Sequence, residues 1–141
     1  MNKSRLRRSR CIVALLSTFV LAACNNTPAT SSQLNPAVDY LLTSAANDFH
    51  THRPPDPARF RDVRSGYVNT SAGPTHYRLC GEFLPAQAQG KAEWLPFATI
   101  KTSGYEQWLG AQAAGFCKDS SVTWDKGDLS AALQSRLDSL Q

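Results

Sequence analysis

Acidic residues are missing from the first 23 positions of this 141-residue chain, where Lys3, Arg5, Arg7, Arg8 and Arg10 are crowded together. The absence makes the formal net charge of +4 misleading. Five of the 15 Lys and Arg lie in that stretch and none of the 11 Asp and Glu do, so positions 24–141 carry 10 − 11 = −1. That leaves no basic field to capture a nucleic-acid backbone, and no nucleic-acid partner is expected. A long hydrophobic run is also lacking. Cys11 to Ala23 is apolar apart from Ser17 and Thr18, but its 13 residues fall short of the roughly 20 that a membrane-crossing helix needs.

Chemical motifs are equally scarce. There is no nucleophile elbow, no phosphate-cradling glycine loop, no helical His-Glu-x-x-His and no internal repeat. Of three histidines, His50 and His52 flank Thr51 at a proline-terminated helix end. An i, i+2 pair shares a face only in a strand, so a solvated terminus is expected there rather than a zinc site. His76 lies four residues before Cys80, a nucleophile pairing that a disulfide at Cys80 would cancel. No catalytic residue, cofactor or metal is therefore expected.

What is present begins with order: a basic segment, an apolar run, then Leu21-Ala22-Ala23-Cys24, the layout of an export signal. The tetrapeptide resembles the lipobox of bacterial lipoproteins. That resemblance implies acylation of the Cys24 sulfur, cleavage before it and a further acyl chain on the freed amine. Each buried CH₂ contributes about 0.8 kcal/mol, so several chains on one residue hold a protein at a bilayer where one chain would slip off. Lipoproteins kept in the inner membrane of many Gram-negative bacteria resemble one another in having Asp after the cysteine. Asn25 stands there instead, which implies the outer membrane, periplasmic face. The expected organisation is a leader over 1–23, a polar tether over 24–35 and one small domain over 36–141.

Cys11 leaves with the leader and Cys24 takes lipid, so Cys80 and Cys117 remain as a pair in an oxidising compartment. A bridge would close a loop of 117 − 80 + 1 = 38 residues, worth roughly 4 kcal/mol in the chain-entropy account. Two separately buried thiols are the alternative.

Along the domain, Asn35 is placed to cap a helix with Pro36 at its first position and Asp39 in its first turn. Val38, Leu41, Leu42, Ala45 and Phe49 follow at helical spacing. Phe60 to Val68 reads as a strand with an irregularity near Ser65-Gly66. Tyr77, Leu79, Gly81 and Phe83 alternate with Arg78, Cys80, Glu82 and Leu84 as a second strand, with Cys80 on the face away from Tyr77 and Phe83. Trp94 to Ile100 reads as a third strand with both faces partly covered, with Pro96 pointing to an edge or a bulge. Residues 105–114 read as either a short strand or a short helix, with Gly110 weakening both and residue types leaning to a helix that Gly115 ends. Asp128 caps a last helix with Leu129, Ala132, Leu133, Leu137 and Leu140 in one stripe. The expected fold is α+β: a small antiparallel sheet of three or four strands with N-terminal and C-terminal helices on one face.

Arg59, Arg61 and Arg64 are expected to face partly opposite sides of the first strand. Trp94, Trp108 and Trp124, with Tyr67, Tyr77 and Tyr105, are packing residues unless exposed together, in which case they mark a partner surface. Asp56-Pro57-Ala58-Arg59-Phe60-Arg61-Asp62-Val63, with Cys80-Gly81-Glu82, Gly90 and Cys117, resembles a group of small exported proteobacterial proteins of unknown function. Phe83-Leu84-Pro85 and Gly90-Lys91 depart from that group's pattern. The resemblance implies this fold and the Cys80 to Cys117 bridge, and no mechanism. The functional expectation is a lipid-anchored envelope protein acting through protein contacts with an unidentified envelope partner. Inhibition of a cell-wall hydrolase such as lysozyme is the alternative, since Ser103-Gly104-Tyr105 and Trp124-Asp125-Lys126-Gly127 are faintly similar to segments of periplasmic lysozyme inhibitors.

Overall fold

Asn35 opens the first helix as its side chain requires: Oδ1 accepts from the Ala37 amide at 2.8 Å, Pro36 takes the first helical position and Asp39 meets the positive end of the helix dipole. The computed structural model describes residues 34–52, 56–86 and 93–141, apart from the Ala58 side chain. The leader, Cys24, the tether as far as Gln33 and Gly90-Lys91 lie outside the described residues. Helix α1 (Pro36–Thr51) buries Val38, Leu41, Leu42, Ala45, Ala46 and Phe49. A large apolar side chain contributes about 1.5–3 kcal/mol when fully buried, so packing rather than intrinsic propensity fixes this helix.

Five strands follow: β1 (Pro57–Val68), β2 (His76–Pro85), β3 (Leu95–Lys101), β4 (Tyr105–Leu109) and β5 (Thr123–Trp124). They form one antiparallel sheet in the order β4-β3-β2-β1-β5. Helix α2 (Gly110–Cys117) follows β4, and α3 (Ser130–Asp138) closes the chain. The α+β class is as expected, with five strands in place of three or four. The core and every element lie in one unit, Gln33–Gln141.

Helices α1 and α3 cover one face. There Phe49 drops among Phe60, Phe83 and Phe97 with ring centroids 5.1–5.4 Å away, and Leu133 and Leu137 complete the layer. The N-terminal and C-terminal helices share one face as expected, and the additional helix α2 lies on the other. Its Ala113 packs on Cys80 and Ala98, whose neighbours Leu79 and Phe97 point into the α1 side.

Residues 105–114 are not one helix. Tyr105–Leu109 pairs with Lys101–Phe97 as β4, because an open β3 edge offers backbone partners that outweigh the helix preference of Glu106 and Gln107. Gly110, at φ +67°, is the joint at which extended backbone turns into helix, a geometry that favours glycine. Gly115 does not stop α2, which runs on to Cys117. Pro96 sits in an interior strand, but β4 reaches only as far as Phe97, so the missing amide hydrogen of Pro96 costs no ladder bond on that side. The N-cap position of α3 is Leu129 rather than Asp128, which stands one residue before it and accepts from the Ser130 amide at 2.8 Å. Leu140 falls beyond α3 and is exposed instead of completing its stripe.

Candidate functional site

The site begins with one extra residue in β1. Its register runs Arg59 to Leu84, Arg61 to Glu82 and Arg64 to Cys80, so Asp62 and Val63 together oppose Gly81. This is a β-bulge, with Asp62 at φ +52°, and it replaces the irregularity expected at Ser65-Gly66. The bulge lets Val63 fill the core while returning Arg64 to the face that holds Arg59 and Arg61. The three arginines thus share one face, contrary to the sequence expectation, because Leu84, Glu82 and Cys80 alternate onto a single side of β2. Gly81 permits this: a Cβ there would stand 2.7 Å from Val63 Cγ2 and 2.9 Å from Phe97 Cε1.

Three arginines on this face, Arg61, Arg64 and Arg78, each lie against an aromatic ring. Arg61 lies 4.3 Å over Trp94 and pairs with Glu82. Arg64 lies 4.1 Å over Trp124 and donates to the Cys117 carbonyl at 3.4 Å. Arg78, almost fully buried, donates to the Phe116 carbonyl at 2.7 Å and to Asp119 at 3.1 Å, with the Phe116 ring 5.6 Å away. Trp108 packs on Phe116 at 5.5 Å. Trp124 can lie on β1 only because position 66 is glycine, where a Cβ would come within 2.7 Å of the indole. All three tryptophans are half-buried and outside the main core.

Cys80 and Cys117 are bonded, with Cα atoms 5.7 Å apart, and the bridge forms the floor of an open cleft of about 650 Å³. Asp62, Arg64, Gly81, Pro96, Lys118 and Asp128 line it with the bridge. Helix α2 has eight residues and no side-chain N-cap, so it would be marginal alone. It is held at its C-terminal end by the bridge and by Arg64 and Arg78, which donate to its last carbonyls and meet the negative end of its dipole. The Ser121 hydroxyl and amide, then Arg78, hold the Asp119 carboxyl down to about 2. The Ser130 hydroxyl and amide lower Asp128 below the usual carboxylate range. The cleft is a preorganised dipolar surface with an apolar floor, suited to binding.

Other sequence candidates lie elsewhere. His52 caps its own helix end against Asp48 at 2.8 Å, and His50, two residues earlier, is half-buried. Among the described residues, no three His, Cys, Asp or Glu are grouped closely enough to hold a metal. His76 opens β2, and the Cys80 sulfur is consumed in the bridge. The stretches Asp56–Val63 and Cys80-Gly81-Glu82 do come together, since Asp62, Val63, Cys80, Gly81 and Glu82 all line the cleft with Cys117. No protein family, curated protein or solved structure matches the chain significantly.

Proposed function

We propose that the chain is a lipoprotein anchored at the periplasmic face of the outer membrane through acyl chains on Cys24, and that its domain works by contacting an envelope protein rather than by catalysis. The observation that supports the contact reading is the α2 face, where the Trp94–Arg61 and Trp124–Arg64 stacks follow one another along β1 beside the open cleft. Tryptophan and arginine dominate binding energy at protein interfaces. Stacking fixes both guanidinium groups before a partner arrives, so less side-chain entropy remains to be lost on binding.

Affinity capture from cross-linked envelopes tests this reading. Wild-type protein is expected to retain a discrete partner that the Trp94→Ala/Trp124→Ala variant loses, while an identical set of captured proteins overturns it. Hydrolase inhibition draws on Ser103-Gly104, exposed at the β3–β4 hairpin tip. Trp124 to Gly127 begins at β5, the opposite edge of the sheet, about 19 Å away at four strand spacings. A single tip therefore cannot present both segments, and an unchanged lysozyme rate in the presence of excess domain would remove this alternative.

A further inference from the structure

We infer that the anchored domain rests on the phospholipid surface through one pole, built from the start of α1, the end of α3 and the adjoining end of the sheet. This rests on the Cys24 anchor proposed above. The first observation is where the tyrosines fall. The chain has four. Tyr67 pairs with Tyr77, Tyr77 with Lys101 and Lys101 with Tyr105, so three of them and one lysine form a single row across four strands. The fourth, Tyr40 on α1, meets Tyr105 edge-on at 6.3 Å and carries the Lys101 ammonium 4.6 Å from its ring.

The second observation is where the chain enters. Asn35 donates to the Tyr77 hydroxyl at 3.4 Å, so the segment leading back to Cys24 leaves the domain at this same row. The third is exposure. Leu34 at 38%, Tyr40 at 44% and Leu140 at 36% are three of the four exposed large hydrophobic residues among those described. The Arg136–Asp39 ion pair sets the end of α3 beside the first turn of α1, which brings Leu140 to this pole.

Tyr40, the exposed one of the four, suits a bilayer interface because its ring is apolar and its hydroxyl can stay wet, while the half-buried row of Tyr67, Tyr77 and Tyr105 backs it. Arg136 and Asp39 neutralise each other here and the Lys101 ammonium lies over the Tyr40 ring, so the contact draws on apolar area more than on charge, and an uncharged phospholipid surface suffices. Three partly exposed side chains bind weakly alone. Only ten residues separate Cys24 from Asn35, and that many residues span at most about 40 Å even when fully extended, so an anchor at Cys24 keeps the pole at raised effective concentration near the lipid. The orientation has a consequence for the cleft. Glu82 lies five residues along β2 from Tyr77, about 17 Å farther from the bilayer, so the cleft faces the periplasm.

The test uses residues 24–141, which contain the whole core. With Cys80 and Cys117 bonded, Cys24 is the one free thiol, and coupling it to maleimide phospholipid in phosphatidylcholine vesicles anchors the domain whether or not a cell acylates it. Hydrogen exchange at residues 34–40, 102–104 and 138–141 is expected to slow about threefold or more relative to the unanchored domain, with 93–97 unchanged. A Leu34→Ser/Leu140→Ser variant, which leaves the Tyr40 contacts with Tyr105 and Lys101 in place, should lose most of that protection while keeping its thermal midpoint. Equal exchange in the anchored and free domains, or protection confined to the cleft, overturns the inference. Absence of acyl chains on the host's protein would refute the anchor without altering this vesicle result.

Discussion

The Arg78 guanidinium reaches beneath α2 to the Phe116 carbonyl, 2.7 Å from Nη1, and thereby joins the middle of β2 to the last turn of a helix on the far face of the sheet. Two positions along the same strand, Cys80 makes the covalent version of that link to Cys117. The second face of the domain depends on these two side chains.

Replacing Arg78 by Met keeps the aliphatic bulk and removes the donor. The loss of a charge-assisted bond to a buried carbonyl is expected to cost about 1.5–3 kcal/mol, read as a lower denaturant midpoint with the same slope. Amides of α2 should exchange faster in this variant, while those of α1 keep their protection.

Cys117→Ser is expected to lower stability by roughly 2–4 kcal/mol, less if the unbridged chain retains structure. Its effect on α2 should exceed that of Arg78→Met. Retention of full α2 protection after reduction would show that the bridge is not the latch.

Thr99 is fully buried, and its hydroxyl finds no hydrogen-bond partner among the described residues. Thr99→Val removes a desolvated hydroxyl while keeping the shape. A gain of about 1 kcal/mol is expected in denaturant unfolding. A loss of that size would mean that the hydroxyl is satisfied.

Asp119 gives the acid limb of the stability profile its sign. Its folded carboxyl is held below the ordinary value, to about 2, by Ser121 and then Arg78. Its contribution is therefore complete above the unfolded pKa near 4 and is lost as pH falls from there through about 2. Asp119→Asn should flatten that part of the curve and leave neutral-pH behaviour of the α1 face unchanged. Carboxyl titration by NMR checks the value directly.

Much of the α1 side was legible because its signals are local. The Asn35-Pro36-Asp39 start, the Val38 to Phe49 stripe and the alternation about Cys80 each rest on neighbours within a few residues. The Cys80 to Cys117 pairing followed from the compartment that the leader implies and from the count of cysteines. The β4–α2 stretch was not legible, because Glu106 and Gln107 favour helix in isolation and only the free edge of β3 decides otherwise. The bulge was hidden for the same kind of reason, since its parity exists only against Gly81 on the neighbouring strand. Arg61 and Trp94 are 94 − 61 = 33 positions apart, and Arg64 and Trp124 are 124 − 64 = 60 apart. Nothing along the chain marks either pair, so the candidate site is a product of the fold.

The proposed compartment and the attachment to a membrane both depend on the fate of one residue. Mass spectrometry of the N-terminal peptide from protein made in its native host is the most direct measurement. The account predicts a chain that starts at Cys24 and carries acyl chains on it, with Cys24→Ser leaving uncleaved precursor. An intact Met1 start with an unmodified thiol at position 24 would contradict it.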